Sequence, residues 1–428
     1  MKWSKYNYMF QSEDKYFLYN SLSNSLAELE SHEFHMIKSK KESISDLNSI
    51  NSEFFNSLKQ MKAIVENDKD EINKIKYFNS LRRADNRRLI LTINPTLACN
   101  FKCSYCFEKQ HPSIFMSDSI EEKIINFIKR NKQTEALDIT WFGGEPLLAF
   151  DRIESLTNKF QSLNLKYKAQ IITNGYLLTR DVCSRLDNLA IYSVQITIDG
   201  LESTHDSRRC LKSGAPTFSK IVDNIDTLKQ INPSIEVTVR VNVDRNNKDE
   251  FLKLHKMFKG KRYKNFTISL AFVQNLSGDV RCENIMERSE QSDFIMKLYQ
   301  SYGLDFSYIY PRHERYECAI RNKNSLVIGP EGELYKCWND VGDVTKIVGN
   351  IDGAIANQDL LLRYLVGADP FEDPKCKSCI LLPVCGGGCP YLRIKNEFEG
   401  KDVNPCPLIK DNLNEFLFAH ALFKTLSK

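Results

Sequence analysis

Between Leu89 and about residue 275, short β-rich runs alternate with longer amphipathic ones, and this alternation constrains the fold more than any other feature. The β-rich runs are LILTIN (89–94), LDITWF (137–142), AQIITN (169–174), SVQITID (193–199), IEVTVRVNV (235–243) and FTISLAFV (266–273). Helical runs lie between them, among them SIEEKIINFIKR (119–130), DRIESLTNKF (151–160), TRDVCSRLDNL (179–189) and FSKIVDNIDTLKQ (218–230). Parallel strands need crossover connections, so β/α units in series specify a parallel sheet, here an incomplete barrel or an open sheet. Unusual residues fall just past the strand ends: 99–106 after the first, 143–146 after the second, Asn174 and Gly175 after the third, Asp199 and Gly200 after the fourth. That is the end where such folds build their sites.

The flanks read differently. At the N-terminus YNYMFQ, a polar turn at 12–15 and YFLYNS form a hairpin pattern. Phe54, Phe55, Leu58, Met61 and Ile64 then follow at helical spacing, Ile72, Ile75 and Leu81 continue a second stretch, and the basic run 82–88 reads as a linker. Beyond residue 276 the chain reads as irregular and cysteine-rich. The expected organisation is therefore 1–85, 86–275 and 276–428, which 428 residues at 42% hydrophobic content can support. Fifty-nine Lys and Arg against 55 Asp and Glu are spread without a basic block, so nucleic acid is not the expected partner. No run of roughly 18 apolar residues occurs and the start, MKWSKYNYMF, lacks an apolar signal region, so a soluble cytoplasmic protein with no membrane association is expected.

Thirteen cysteines are present, and their distribution carries the chemistry. Cys99, Cys103 and Cys106 lie within eight residues; Cys318, Cys337, Cys376, Cys379, Cys385, Cys389 and Cys406 fill the last quarter; Cys183, Cys210 and Cys282 stand alone. In a reducing cytosol, clustered thiols are ligands rather than disulfides. The C-x3-C-x2-C triad cannot close a tetrahedral zinc site without a fourth ligand such as His111, but it can hold a 4Fe-4S cluster by three irons and leave the fourth open. In Gly143-Gly144-Glu145-Pro146, two glycines permit close backbone approach and a carboxylate can accept from an ammonium group.

This triad after a first strand, with GGEP after the second, resembles the radical S-adenosylmethionine (SAM) superfamily over roughly residues 89–275. The resemblance implies a partial (β/α)6 barrel, SAM chelating the open iron, and reductive cleavage to a 5′-deoxyadenosyl radical. It implies Gly143, Gly144, Glu145 and Pro146 at the SAM amino group, Tyr105 beside the adenine, and Asn174, Thr197, Asp199 and Arg240 at the ribose or carboxylate. The spacing Cys318-x13-Gly332-x4-Cys337, Cys376-x2-Cys379-x5-Cys385-x3-Cys389 and Cys406 resembles the SPASM signature of radical SAM enzymes that modify peptides and proteins. It implies two auxiliary 4Fe-4S clusters, one on Cys376, Cys379, Cys385 and Cys406, the other on Cys318, Cys337 and Cys389. The fourth position of the second is filled by Cys282 or Cys210, or stays open for a substrate sulfur; Cys183 is assigned to packing. Taken alone, C-x2-C pairs would suit a zinc ribbon.

The N-terminal hairpin and helices resemble the winged-helix-like module with which peptide maturases hold a precursor's leader by adding a strand to a sheet edge; the alternative is a structural cap. The expected fold is thus α/β: a partial barrel with this module in front and an irregular Cys-rich domain behind. The expected function is a maturase that forms a Cys thioether in a ribosomal precursor peptide, with a flavodoxin or ferredoxin as electron donor. Carbon–carbon or ether cross-linking, formylglycine formation as in anaerobic sulfatase maturation, and zinc binding without catalysis are the alternatives. Asp340, three residues beyond Cys337, is the candidate carboxylate for deprotonating substrate, against the reading of a surface Asp.

Overall fold

The aromatic alternation at the N-terminus folds as expected and then goes further. After β1 (Lys2–Trp3), strands β2 (Asn7–Ser12) and β3 (Lys15–Asn20) form the hairpin, and β4 (Ser25–Leu29) extends it to a three-stranded antiparallel sheet. The helix Ser31–Lys40 buries Phe34 and Ile37, three apart on one face. In the helix Ser52–Gln60 the Asn51 side chain accepts from the Phe54 N–H at 2.9 Å, and Phe55 and Leu58 are buried. The short β5 (Ile64–Val65) pairs back on β1. Phe34, Ile37, Phe55, Leu58 and Ile64 join Leu18 and Leu29 in one core.

The six β-rich runs are β6 (Arg88–Ile93), β8 (Ala136–Trp141), β9 (Lys166–Thr173), β10 (Ile191–Thr197), β12 (Glu236–Val243) and β13 (Phe266–Phe272). They pair parallel in chain order, each within three residues of its expected bounds. Two short strands, β7 (Phe101–Cys103) and β11 (Arg209–Leu211), pair antiparallel outside this sheet. The sheet does not stop at β6. Strand β14 (Ser325–Ile328) lies parallel against it, followed by antiparallel β15 (Glu333–Tyr335) and β16 (Gly349–Asn350), giving nine strands with β13 and β16 as the two edges of a mostly parallel, open sheet. Gly332 makes the β14–β15 turn at φ +88°, where a Cβ would meet the Ile351 side chain.

This is a computed structural model, and it describes all residues except 42, 45, 47–50, 107, 109–111, 275–283, 305–308, 313–317, 319 and 427–428. The chain forms two compact units, Asp85–Met286 with Asn322–Leu365, and Met1–Ala84 with Glu287–Arg321 and Val366–Lys428. The borders expected from the sequence do not coincide with them. Segment 276–428 is divided between both units, and it is not irregular: it contains the helices Arg288–Tyr302, Pro390–Glu399 and Leu413–Leu426 besides β14–β16. The N-terminal residues are not a separate module either. Tyr6 shares a core with Phe371 and Leu382, against which Leu22, Ile72 and Ile75 pack. The expected linker is in part helix, ending at Ala84, and Arg83 pairs with Asp369 at 2.5 Å. No helix among the described residues is long and apolar enough to cross a membrane.

Candidate active site

The loop after β6 carries Cys99, Cys103 and Cys106. Its geometry is set by the short pair β7–β11, in which Cys103 faces Arg209 and Lys102 faces Cys210. The Ser104 N–H donates to the Arg208 carbonyl at 3.0 Å, and the Lys212 N–H to that of Asn100 at 2.9 Å. Burial pushes the Cys99 and Cys106 thiols up to about 12, and the charge of Cys103 adds to both. Such thiols stay protonated until a metal takes them, so ligation must release protons. No three His, Cys, Asp or Glu side chains among the described residues converge as the ligands of one ion would. His111 and Cys282 lie outside those residues.

The GGEP turn after β8 is built for contact with this loop. At Gly144 a Cβ would overlap the carbonyl oxygens of Ala98 and Leu97, and at Gly143, where φ is +120°, that of Thr96. The Glu145 N–H donates to the Ala98 carbonyl at 2.8 Å. The Glu145 side chain has no exposed surface and takes three donors: Thr173 Oγ1 at 2.6 Å, the Asn174 N–H at 2.7 Å and the Leu147 N–H at 3.0 Å. Its carboxylate therefore ties β8 to the end of β9. Burial raises its pKa against the pull of those donors. Asn174 in turn donates to Asn100 Oδ1 at 2.7 Å, next to Cys99.

At the end of β10, buried Asp199 accepts from the Tyr105 hydroxyl and from the Asn242 N–H at 3.0 Å. Tyr105 accepts from Arg209 Nη1 at 2.7 Å and Asn242 Nδ2 at 3.1 Å, with the Arg208 guanidinium 5.0 Å from its ring centre. Arg240 Nε donates to Asn242 Oδ1 at 2.9 Å, and Thr197, buried, sits in register with Arg240. His205, with no exposed surface, closes this shell. Its Nδ1 accepts from the Asp199 N–H at 3.3 Å, so Nε2 carries the proton and faces Thr217 Oγ1 at 3.1 Å, which donates onward to the Arg209 carbonyl at 2.7 Å. Burial first, then Arg209 and Arg208, depress its pKa to about 3, so the imidazole is neutral.

Twelve expected residues thus come together in one unit: Cys99, Cys103, Tyr105, Cys106, Gly143, Gly144, Glu145, Pro146, Asn174, Thr197, Asp199 and Arg240. Arg208, Arg209, Asn242 and His205 complete the site without having been expected. Arg208 Nε and Arg209 Nε are buried without a hydrogen-bond partner among the described residues, Arg208 Nε lying 3.7 Å from Asp199. These unspent guanidinium donors beside three thiols and a glycine cradle suit a ligand carrying a carboxylate.

Residues 93–258 match the family described as the Radical SAM superfamily. That stretch of the chain is a radical SAM domain. Among similar proteins, a serine-type anaerobic sulfatase-maturating enzyme of Bacteroides thetaiotaomicron is 34% identical over 33% of this chain, which spans only 37% of that relative's length. The radical SAM cyclopropyl synthase TigE of Paramaledivibacter caminithermalis is 23% identical, covering 90% of this chain and 89% of its own. The fold is similar to that of native anSMEcpe with bound AdoMet and the Cp18Cys peptide (TM-score 0.63, 21% identity, 79% of this chain and 98% of that one). It is also similar to Streptococcus suis SuiB bound to precursor peptide SuiA (TM-score 0.50, 15% identity, 91% and 95%). A radical SAM domain is one that takes SAM and an iron–sulfur cluster, and the chemistry of the triad with its Arg208–Arg209 surround fits them.

The later cysteines separate by unit. Cys376, Cys379, Cys385 and Cys406 lie in the unit of the chain termini; burial, with the neighbouring thiols adding to it, pushes Cys385 up to about 11 and raises Cys376. Cys318 and Cys389 belong to that unit too, both exposed, whereas Cys337 follows β15 in the other. There the neighbouring Trp338 packs on Phe142, beside the GGEP turn, with ring centres 5.8 Å apart. Asp340 is not at the surface as a charged residue near a turn would suggest: it is 2% exposed and accepts from the Tyr364 hydroxyl at 2.8 Å. Cys210, considered for an auxiliary cluster, lies instead on β11 beside the triad. Cys183 is buried and its Sγ faces the Leu178 carbonyl at 3.6 Å, a packing position.

Proposed function

We propose that this radical SAM enzyme matures a ribosomally made precursor peptide, joining a cysteine sulfur to carbon in the reducing cytoplasm. The triad would hold the SAM-binding cluster, Cys376, Cys379, Cys385 and Cys406 a second, and Cys318, Cys337 and Cys389 ligands of a third. When bound, SAM and the first cluster supply hydrogen abstraction from an unactivated carbon. The chain's own part is to hold these groups: Gly143 and Gly144 keep the turn against the Cys loop, Arg209 and Arg208 offer donors to a carboxylate, and Tyr105 and Asp199 hold those two arginines in place. A flavodoxin or ferredoxin is the proposed electron donor.

The observation that carries the peptide assignment is the sheet β2–β3–β4, whose edge strand β4 has no backbone partner on its outer side among the described residues, so an extended peptide can add to it. The chain's likeness in fold to SuiB, solved with a precursor peptide, supports the same reading. Co-expression with a small Cys-containing peptide encoded nearby is the test: the product should lose two hydrogens per cross-link and one alkylatable thiol each time. Loss of two hydrogens with every thiol still alkylatable moves the assignment to a carbon–carbon or ether link. Formylglycine formation is the second reading, favoured by the 34% identity to a sulfatase-maturating enzyme over 158 residues; conversion of a sulfatase-derived peptide, with the small peptide untouched, would establish it.

A further inference from the structure

Around the four cysteines 376, 379, 385 and 406 the structure supplies more than sulfur. Arg393 Nη1 donates to Cys376 Sγ at 3.3 Å, Lys410 Nζ to Cys406 Sγ at 3.4 Å, and the Gly387 N–H to Cys385 Sγ at 3.3 Å. The Tyr6 hydroxyl is buried without a hydrogen-bond partner among the described residues, and Cys376 packs against the core that Tyr6 shares with Phe371 and Leu382. Arg393 is itself held in place by Asp373 at 2.9 Å and by the Ala368 carbonyl at 2.9 Å. Hydrogen bonds and positive charge on ligand sulfurs are among the levers that set an iron–sulfur potential.

We propose that Arg393, Lys410, Gly387 and Tyr6 form a donor set around the four sulfurs that raises the reduction potential of the cluster they hold. This rests on the assignment of a cluster to these cysteines under Proposed function. One-electron reduction adds a negative charge to the cluster and its thiolates. Two cations and two neutral donors stabilise the reduced form more than the oxidised one, so the equilibrium moves toward reduction. Three of the four donors come from the same cysteine-rich segment. The fourth comes from the turn between β1 and β2, so the N-terminal region reaches the cluster's ligand shell through Tyr6.

Lys410 is exposed and Tyr6 can lose its hydroxyl without losing its ring, so Lys410→Met and Tyr6→Phe test the set without removing the core contact with Phe371 and Leu382. The full chain would be loaded anaerobically with iron and sulfide and titrated potentiometrically by electron paramagnetic resonance. The signal to follow is the one that Cys376→Ala with Cys379→Ala removes. Lys410→Met should shift that equilibrium toward the oxidised form by at least tenfold, roughly 59 mV for one electron; Lys410→Arg should restore it, and Tyr6→Phe should shift it in the same direction. Unchanged potentials at undiminished iron content overturn the proposal. If Cys376→Ala with Cys379→Ala removes zinc and leaves every redox signal in place, the cluster assignment itself falls and takes the proposal with it.

Discussion

His205 and Gly144 show how single residues hold the site. His205 is kept neutral, donor on one nitrogen and acceptor on the other, and its folded pKa of about 3 lies far below the unfolded value of 6.5. A depressed pKa means the unfolded chain binds the extra proton. His205 therefore contributes its full stabilisation above pH 6.5 and loses about 1.4 kcal/mol per pH unit as acid carries the pH down toward 3. His205→Gln keeps an acceptor and a donor but does not titrate, so urea midpoints measured from pH 7.5 to 5.5 should fall more steeply in the native protein than in the variant; parallel slopes would contradict the assignment. Gly144→Ala forces a Cβ into two carbonyl oxygens that cannot rotate away. It should cost ~1–3 kcal/mol in the same titration and abolish SAM cleavage, whereas Gly260→Ala, where a Cβ meets nothing, should be neutral or stabilising. The triad and GGEP were legible because their spacing is rare. Arg208, Arg209 and His205 were not, because charged residues at the end of a helix read as solvated surface until Tyr105 and Asp199 are placed beside them.

At the scale of elements, the six parallel strands could be read from the sequence since buried strands are near-continuous β-branched runs, flanked here by turn residues. The rest of the sheet could not. Strands β14, β15 and β16 have four, three and two residues, too few for periodicity to emerge, and Leu413–Leu426 carries apolar residues around much of its circumference, so no stripe marks it. The consequence is testable by truncation. A chain ending at residue 286 exposes the edge of β6, with Leu89, Leu91 and Ile93 in its core-facing positions, and should aggregate; residues 85–286 joined by a short linker to 322–365 keep β14 in register and should stay soluble. Equal behaviour of the two in light scattering would show that β14 is dispensable for the sheet.

At the scale of the molecule, the N-terminal residues belong to the same unit as the last cysteines. Ser21 donates to the Ile380 carbonyl, Tyr8 to Asn414, and Asn24 to the Pro311 carbonyl at 2.7 Å. Reconstitution of the intact chain should give three clusters, roughly twelve irons. Deleting residues 1–84 should lower that by roughly four, because Phe371, Leu382 and the adjoining Cys376 segment lose the surface they pack on. Retention of full iron content would show that the Cys-rich segment folds without it.

The polypeptide passes between the two units four times, after residues 84, 286, 321 and 365. On the ribosome, then, the first unit cannot finish when its first stretch has emerged: Tyr6 waits for Phe371 and Leu382, nearly the whole length of the message away. At ~5–20 residues per second that wait is on the order of tens of seconds. During it β6 also lacks β14. The nascent chain must therefore keep two incomplete hydrophobic surfaces out of trouble until these later segments are made.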